Sequence, residues 1–291
     1  MTADVSPTIH ERAMLVSLSI KSWSARKQDD RASEEVAEAH GAERNAGSYT
    51  KALVAREALE KIKKIISDAR VFHYGRTLPW SDEGLRILPS EMFFEYDERI
   101  KEFREAFNLA AAEFAANYPQ YTEEAKARLG TLWKAEDYLE PAMVAGKFSF
   151  ECNIYPLPES RDFRVDLGTQ ETERIREQIK ENVNQAAEEA VRAILERARE
   201  CVGRMAERLG SYDPESPGKA PFRDTMITNM RDFAELLPRL NFTGSPDIEI
   251  LAKDIAHLAR FDPDRLRNNR AAQVQAKHEA DKIMQRMEGY G

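Results

Sequence analysis

Hydrophobic and polar positions alternate in three short stretches and recur at helical spacing through most of the remaining chain. Val16, Ser17, Leu18, Ser19, Ile20 and Lys21 alternate with period two, which predicts a strand with one wet face. Trp23 falls on the polar side of that register. Either the strand bends near Ser22, or Trp23 packs under a neighbouring element. Residues 147–155 alternate, and 162–167 alternate again, with Pro156 and Pro158 between them. That spacing predicts a β-hairpin with a loop of about six residues.

Helical spacing dominates elsewhere. A short helix over 30–40, closed by Gly41, is expected, and a firmer one from about Ser48, carrying Leu53, Ile62 and Ala69 and ending before Gly75. Gly75, Pro79, Gly84 and Pro89 punctuate a structured loop. Ile100, Phe103, Phe107, Ala110 and Phe114 then mark one narrow helical seam. Pro119 is expected to end this helix, and Thr122 to cap a short one closed by Gly130. From Thr169 to about Leu209 a helix of roughly 40 residues would span about 60 Å. Its apolar line is Ile175, Ile179, Val183, Ala187, Val191, Ile194, Ala198, Val202, Met205 and Leu209. The mean step is about 3.8 residues where a heptad seam needs 3.5, so different turns should meet different partners rather than one coiled-coil mate. A linker over 213–218 leads to a helical tail with Phe222, Met226, Met230, Phe233 and Leu237 in one stripe. Ser245-Pro246 and Asp262-Pro263 start two further helices, the last running to about Met287. Residues 1–12 read as a loose arm.

The fold class that follows is α+β and mainly α. An elongated molecule is expected, with a small antiparallel sheet (N-terminal strand plus hairpin), a long helix and a helical C-terminal region. At 291 residues the chain has the length of about two domains, read as a mixed α/β region over 1–168 and a helical region over 169–291. Charged residues at 32%, above the usual ~25%, favour long solvated helices, and 42% hydrophobic residues suffice for a core. No apolar run approaches the roughly 18 residues of a membrane span. Residues 1–12 lack the basic start and apolar centre of a signal peptide. With Cys152 and Cys201 read as ordinary half-buried thiols, a cytoplasmic protein is expected.

Chemistry-bearing motifs are sparse. The nearest approach to a phosphate loop runs from Gly41 to Gly47, but it has five residues between its glycines and no following Lys. His10, His40, His73, His257 and His278 never fall within one helical turn of each other. No catalytic residue, metal or cofactor is therefore assigned. The most unusual composition is 71–80, where His73, Tyr74, Arg76 and Trp80 sit within ten residues. It is either a recognition surface, since Trp, Tyr and Arg dominate interface hot spots, or a loop pinned to the core by its rings. Trp23, Arg26 and Lys27 carry the same two readings. The net charge is −8. Only 251–291 is net basic, with Arg265, Arg267, Arg270 and Lys277 as candidate phosphate contacts or as a solvated face.

Trp23-Ser-Ala-Arg26-Lys27, then His40-Gly41-Ala42, Gly47-x-Tyr49-x-Lys51-x-Leu53 and His73-Tyr74-x-x-Thr77-Leu-Pro-Trp80 together resemble an uncharacterised bacteriophage and prophage family, the DUF3150 type. The resemblance covers about 13–167. It implies a phage-encoded protein working in the bacterial host's cytoplasm, with an ATPase assembly or a defence complex as a possible partner, and it transfers no functional residue. The leading reading is a non-enzymatic protein that self-associates as a homo-oligomer, because the long helix carries more apolar stripe than one short neighbour covers, and that binds a host or phage protein, with no membrane. The alternative is a single-strand DNA binding or annealing protein, suggested by the order strand, hairpin, long helix and by the basic tail.

Overall fold

A computed structural model describes residues 8–81, 84–165, 167–212 and 223–290. Along the chain the elements are α1 (Ile9–Arg12), β1 (Ala13–Lys21), β2 (Arg26–Gln28), α2 (Asp30–Ala39), β3 (Thr50–Ala52), α3 (Glu60–Arg76), β4 (Leu78–Pro79), β5 (Leu85–Pro89), α4 (Phe93–Leu129), α5 (Pro141–Val144), β6 (Ser149–Pro156), α6 (Thr169–Ser211), α7 (Asp224–Leu240), α8 (Pro246–Leu258), α9 (Pro263–Asn268) and α10 (Arg270–Glu288). The protein is mainly α, with a four-stranded sheet in the order β4-β5-β1-β6 and a two-stranded sheet of β2 and β3. The chain forms two compact units assembled from separate segments. One comprises Ser17–Gly75 and Glu95–Asn153; the other comprises Met1–Val16, Arg76–Phe94 and Ile154–Gly291. No helix among the described residues is long and apolar enough to cross a membrane.

In the unit of Ser17–Gly75 and Glu95–Asn153, α2 starts where expected. The Asp29 carboxylate accepts the Ala32 N–H, and Gly41 takes φ +60° just beyond the end. The firmer helix begins later than Ser48. Residues 50–52 are drawn into β3 opposite β2, with Lys51 facing Lys27, so α3 starts at Glu60. α3 then continues through Gly75 to Arg76, so part of the expected 71–80 loop is helical.

α4 corrects a second expectation. It runs 37 residues straight through Pro119. The proline removes one helical donor, but Tyr118 and Ala125 on either side of it are buried, and packing holds the path. Thr122 caps nothing; its hydroxyl donates back to the Tyr118 carbonyl at 3.0 Å. Gly130, at φ +53°, ends the helix as expected. The core is aromatic: Phe107, fully buried, meets Phe148 and Phe150, and Phe114 meets Trp23, Tyr118 and Phe148.

In the other unit α6 spans 43 residues, close to expectation. Its buried line is Val183, Ala186, Ala190, Ile194, Ala198, Val202, Met205 and Leu209. Ala187 and Val191, expected in that line, are half-buried on its flank. α10 packs along it, with Met284 beside Gly203 and Lys277 beside Gly210, so the two helices run antiparallel. α7 and β4 cover other turns, as the 3.8-residue step required. The tail after 262 is two helices rather than one. Asp262 caps α9 through the Arg265 N–H, and Asn269 breaks the line and caps α10 through the Ala272 N–H.

The predicted hairpin does not form: its first arm is β6, which lies beside β1 in the sheet, and a different hairpin, not predicted, is found earlier in the chain. β4 and β5 pair antiparallel, Leu78 opposite Ile87, within the stretch read as a loop. The expected second arm, 162–167, forms no strand among its described residues. Ser160–Asp162 closes into a 3-10 turn, and the Phe163 carbonyl faces the Arg176 guanidinium on α6. Of the expected arm over 1–12, Ile9–Arg12 is a helical turn whose Glu11 carboxylate accepts the Thr8 N–H. Residues 1–7, the linker over 213–218 and Phe222 lie outside the described residues.

Candidate partner-binding groove on α3

α3 divides its side chains sharply. Ile62, Ile66, Ala69 and His73 face inward and are buried. The His73 Nδ1 lies 2.7 Å from the Tyr96 hydroxyl, and Phe72 stacks on the Tyr96 ring at 5.9 Å between centroids. These contacts fasten α3 to α4. On the adjoining flank, one position on from that row and so about 100° round the helix, Lys63, Ser67, Arg70 and Tyr74 follow each other at intervals of four, three and four, which places them in one row about 16 Å long. Together with Ser22, Ile66 and Val71 they line an open groove of about 640 Å³.

Two properties set this groove apart. Val71 is 71% exposed and Tyr74 54% exposed, although both are adjacent to inward-facing residues. The edge-on contact with His73, 5.3 Å between centroids, orients the Tyr74 ring. The charge has one sign as well. α3 carries Lys61, Lys63, Lys64, Arg70 and Arg76 against Glu60 and Asp68 on a chain that is −8 overall. Arg56 engages Glu60 and Glu113 engages Lys61, whereas Lys63 and Arg70 have no ion-pair partner among the described residues. An apolar and aromatic strip beside uncompensated cations is suited to a segment bearing both an apolar anchor and carboxylates.

The residues singled out from sequence are distributed unevenly. Tyr74 reaches the groove; His73 is buried behind it. Trp23 is half-buried, edge-on to Phe114 and Tyr118 at 6.4 and 5.7 Å, so it packs under α4. Arg26 is exposed on β2. Lys27 pairs with Asp137 at 2.9 Å. Arg76 and Trp80 are half-buried and belong to the other unit. Lys63, Ser67 and Arg70 were missed because 71–80 was read as a loop and detached from the helix carrying them; their 4-3-4 spacing was the available signal.

Lys27 is one member of a buried ion cluster. The Lys51 ammonium donates to the Asp29 carboxylate and to the Leu132 carbonyl, each at 2.6 Å, and lies 2.7 Å from Asp137. The ammonium is thereby held among three oxygens. The Lys51 hydrogen bond holds the Asp29 carboxyl down at about 2. Burial would raise Asp137, but the bonds from Lys27 and Lys51 outweigh it and lower it. Burial would likewise lower Lys51, and its two carboxylates hold it above the usual value. The cluster fastens the segment after α4 to β3, with help from the Arg128 guanidinium and the Tyr138 hydroxyl, which donate to the carbonyls of Ala52 and Leu53.

The tail cations are committed locally. Arg267 lies between Asp224 and Asp264, whose hydrogen bonds raise its guanidinium further. Arg270 donates to Gln273 and toward the Tyr212 carbonyl, and Lys277 pairs with Asp281. Arg265 is exposed. Burial raises both the Cys152 and the Cys201 thiols, which makes them poor nucleophiles at neutral pH. The same unit as the tail holds a cavity of about 780 Å³, whose cations Arg12, Arg239 and Lys253 face Glu11, Glu91 and Glu249, so its charge is mixed. In comparisons with known proteins, the chain matches no family model, no curated protein sequence and no solved structure.

Proposed function

We propose that this is a non-enzymatic bacteriophage or prophage protein of the bacterial cytoplasm that self-associates and binds a protein partner through the α3 groove. The observation that carries the partner reading is the row Lys63, Ser67, Arg70, Tyr74 with Val71 beside it, exposed and uncompensated in charge. The partner presents an acidic segment with an apolar side chain that seats against Val71 and Tyr74. The phage context rests on the resemblance over 13–167. The groove supports a protein ligand over single-stranded DNA because Val71 and Ile66 are aliphatic, and Lys63 and Arg70 supply only two phosphate contacts.

A photo-crosslinking residue in place of Val71, in the full chain expressed in an infected host, tests this. The expected product is one discrete protein adduct. Lys63→Glu with Arg70→Glu should abolish it and leave the melting midpoint within about 2 °C, since both residues are surface cations. An adduct to nucleic acid would transfer the groove to the DNA-binding alternative, and the absence of any adduct would remove the partner reading.

A further inference from the structure

The cavity of about 780 Å³ in the unit containing α6–α10 is mixed in charge as a whole, but its charges are sorted by exposure. Its floor is apolar, since Pro89, Ala234, Phe242 and Ala252 are all buried. Glu11, Glu91, Glu249 and Lys253 are exposed, where water screens them. The two charged side chains that are half-buried are both arginines, Arg12 and Arg239. Arg239 is anchored, donating to the Glu91 carbonyl at 3.4 Å. The Arg12 guanidinium makes neither an ion pair nor a hydrogen bond among the described residues. A guanidinium taken partly out of water has five N–H donors, and only an acceptor offsets the lost hydration. The chain makes room for it. Asn241 closes the turn after α7, its side-chain oxygen accepting the Ser245 N–H and its amide donating to the Ser245 carbonyl, each at 2.9 Å. Inside that turn Gly244 takes φ +71°, and a Cβ there would lie 2.8 Å from the Arg12 Nη1. Glycine thus supplies the left-handed backbone and also the space in which Arg12 lies.

We propose that this cavity binds a small amphipathic anion, with a carboxylate or sulfonate head group on Arg12 and an apolar body against Pro89, Ala234, Phe242 and Ala252. The site is separate from the α3 groove, and the inference does not rest on the partner reading of that groove. The planar fork of an arginine matches such a head group with two parallel hydrogen bonds. The volume falls within the roughly 300–1,000 Å³ of small-molecule sites, which combine an apolar lining with a few polar groups. An amphipathic cation would meet two half-buried arginines of its own sign, and a wholly apolar ligand would leave Arg12 without an acceptor.

Two probes with one ring system test this: anilinonaphthalenesulfonate and the uncharged phenylnaphthylamine, each titrated by fluorescence into the full chain. Both should bind. Arg12→Gln should weaken the sulfonate about tenfold and leave the neutral probe within about twofold. Arg12→Lys keeps the charge and loses the fork, so it should show the same selectivity at a smaller size, and it decides the matter if Arg12→Gln does not fold. Ala256→Phe, which fills the cavity from α8, should weaken both probes about tenfold. Melting midpoints near that of the parent chain exclude the loosened states that take up such dyes unspecifically. A loss confined to the sulfonate in the Arg12 variants, with loss of both probes in Ala256→Phe, supports the proposal. Equal responses of the two probes to the Arg12 variants overturn the anion site. Unchanged binding in Ala256→Phe places the probes outside the cavity and overturns it as well, as does a parent chain that binds neither probe.

Discussion

The two compact units solve the problem of a core in different ways. The unit of Ser17–Gly75 and Glu95–Asn153 packs large rings, Trp23, Phe107, Phe114, Tyr118, Phe148 and Phe150, against one another and also holds a buried ion cluster. The unit containing α6–α10 packs small and aliphatic residues along helix seams, Ala186, Ala190, Ala198 and Ala206 on α6 and Ala272, Ala276 and Ala280 on α10. A ring core concentrates its energy in a few contacts of specific geometry, whereas an alanine seam spreads it over many close approaches. The first should fail when a side chain is removed, the second when one is enlarged.

The largest expected effect follows from the ring core. Phe107 is fully buried against Phe148 and Phe150. Phe107→Ala should cost about 3–5 kcal/mol. Hydrogen exchange resolved by peptide should show protection lost through 95–153, while peptides of the α6–α10 seam keep theirs to a greater extent. Equal losses in both units would mean that they unfold as one and that the contrast has no energetic meaning.

A smaller effect is expected on the seam. Ala280 is fully buried on α10 and, by the register that sets Met284 beside Gly203, lies near Ala206 of α6. Ala280→Leu hardly changes helix propensity, so its cost reports packing alone, about 1–3 kcal/mol. The loss of protection should centre on α6 and α10. A stabilised variant would show that the seam holds unused space.

Much of this contrast was legible in the sequence, and the illegible remainder has a common cause. The seam through Phe107 and Phe114, the length of α6 and the end of α2 at Gly41 follow from periodicity and neighbouring residues. Pro119 misled because local backbone chemistry was weighed without the buried Tyr118 and Ala125 that hold α4 on its course. The strand pattern at 162–167 misled because alternation records compatibility with an edge, not occupation of one. The ion cluster left no local trace, since Asp29, Lys51 and Asp137 lie far apart in the chain and meet only through β2, β3 and the segment after α4. The α3 groove was half legible: Tyr74 stood out by composition, but its cationic companions stand out only once 60–76 is taken as a single helix.

The smallest expected effect uses that cluster. The Asp29 carboxyl sits at about 2 in the folded chain, against about 3.9 for an unfolded aspartate. A lowered folded value means that the charged form favours folding. Its stabilisation is fully present above about pH 4 and is lost as pH falls toward 2. Asp137 shifts in the same direction, so both carboxylates weaken the same unit over the same window. In the other unit Glu11 is also lowered, by its hydrogen bonds to Thr8, but it lies on a four-residue surface turn. Exchange protection through 17–75 and 95–153 should therefore fall more steeply between pH 4 and pH 2 than protection along α6 and α10. Asp29→Asn separates charge from capping. The amide oxygen still accepts the Ala32 N–H at the start of α2, but the amide NH2 replaces the oxygen that accepts from Lys51, so that bond is lost together with the titration and the variant starts from a lower stability. The variant should keep α2 intact at neutral pH and show a shallower acid limb in its own unit alone. An unchanged limb would assign the acid sensitivity to the surface carboxylates and leave the buried cluster without a share in it.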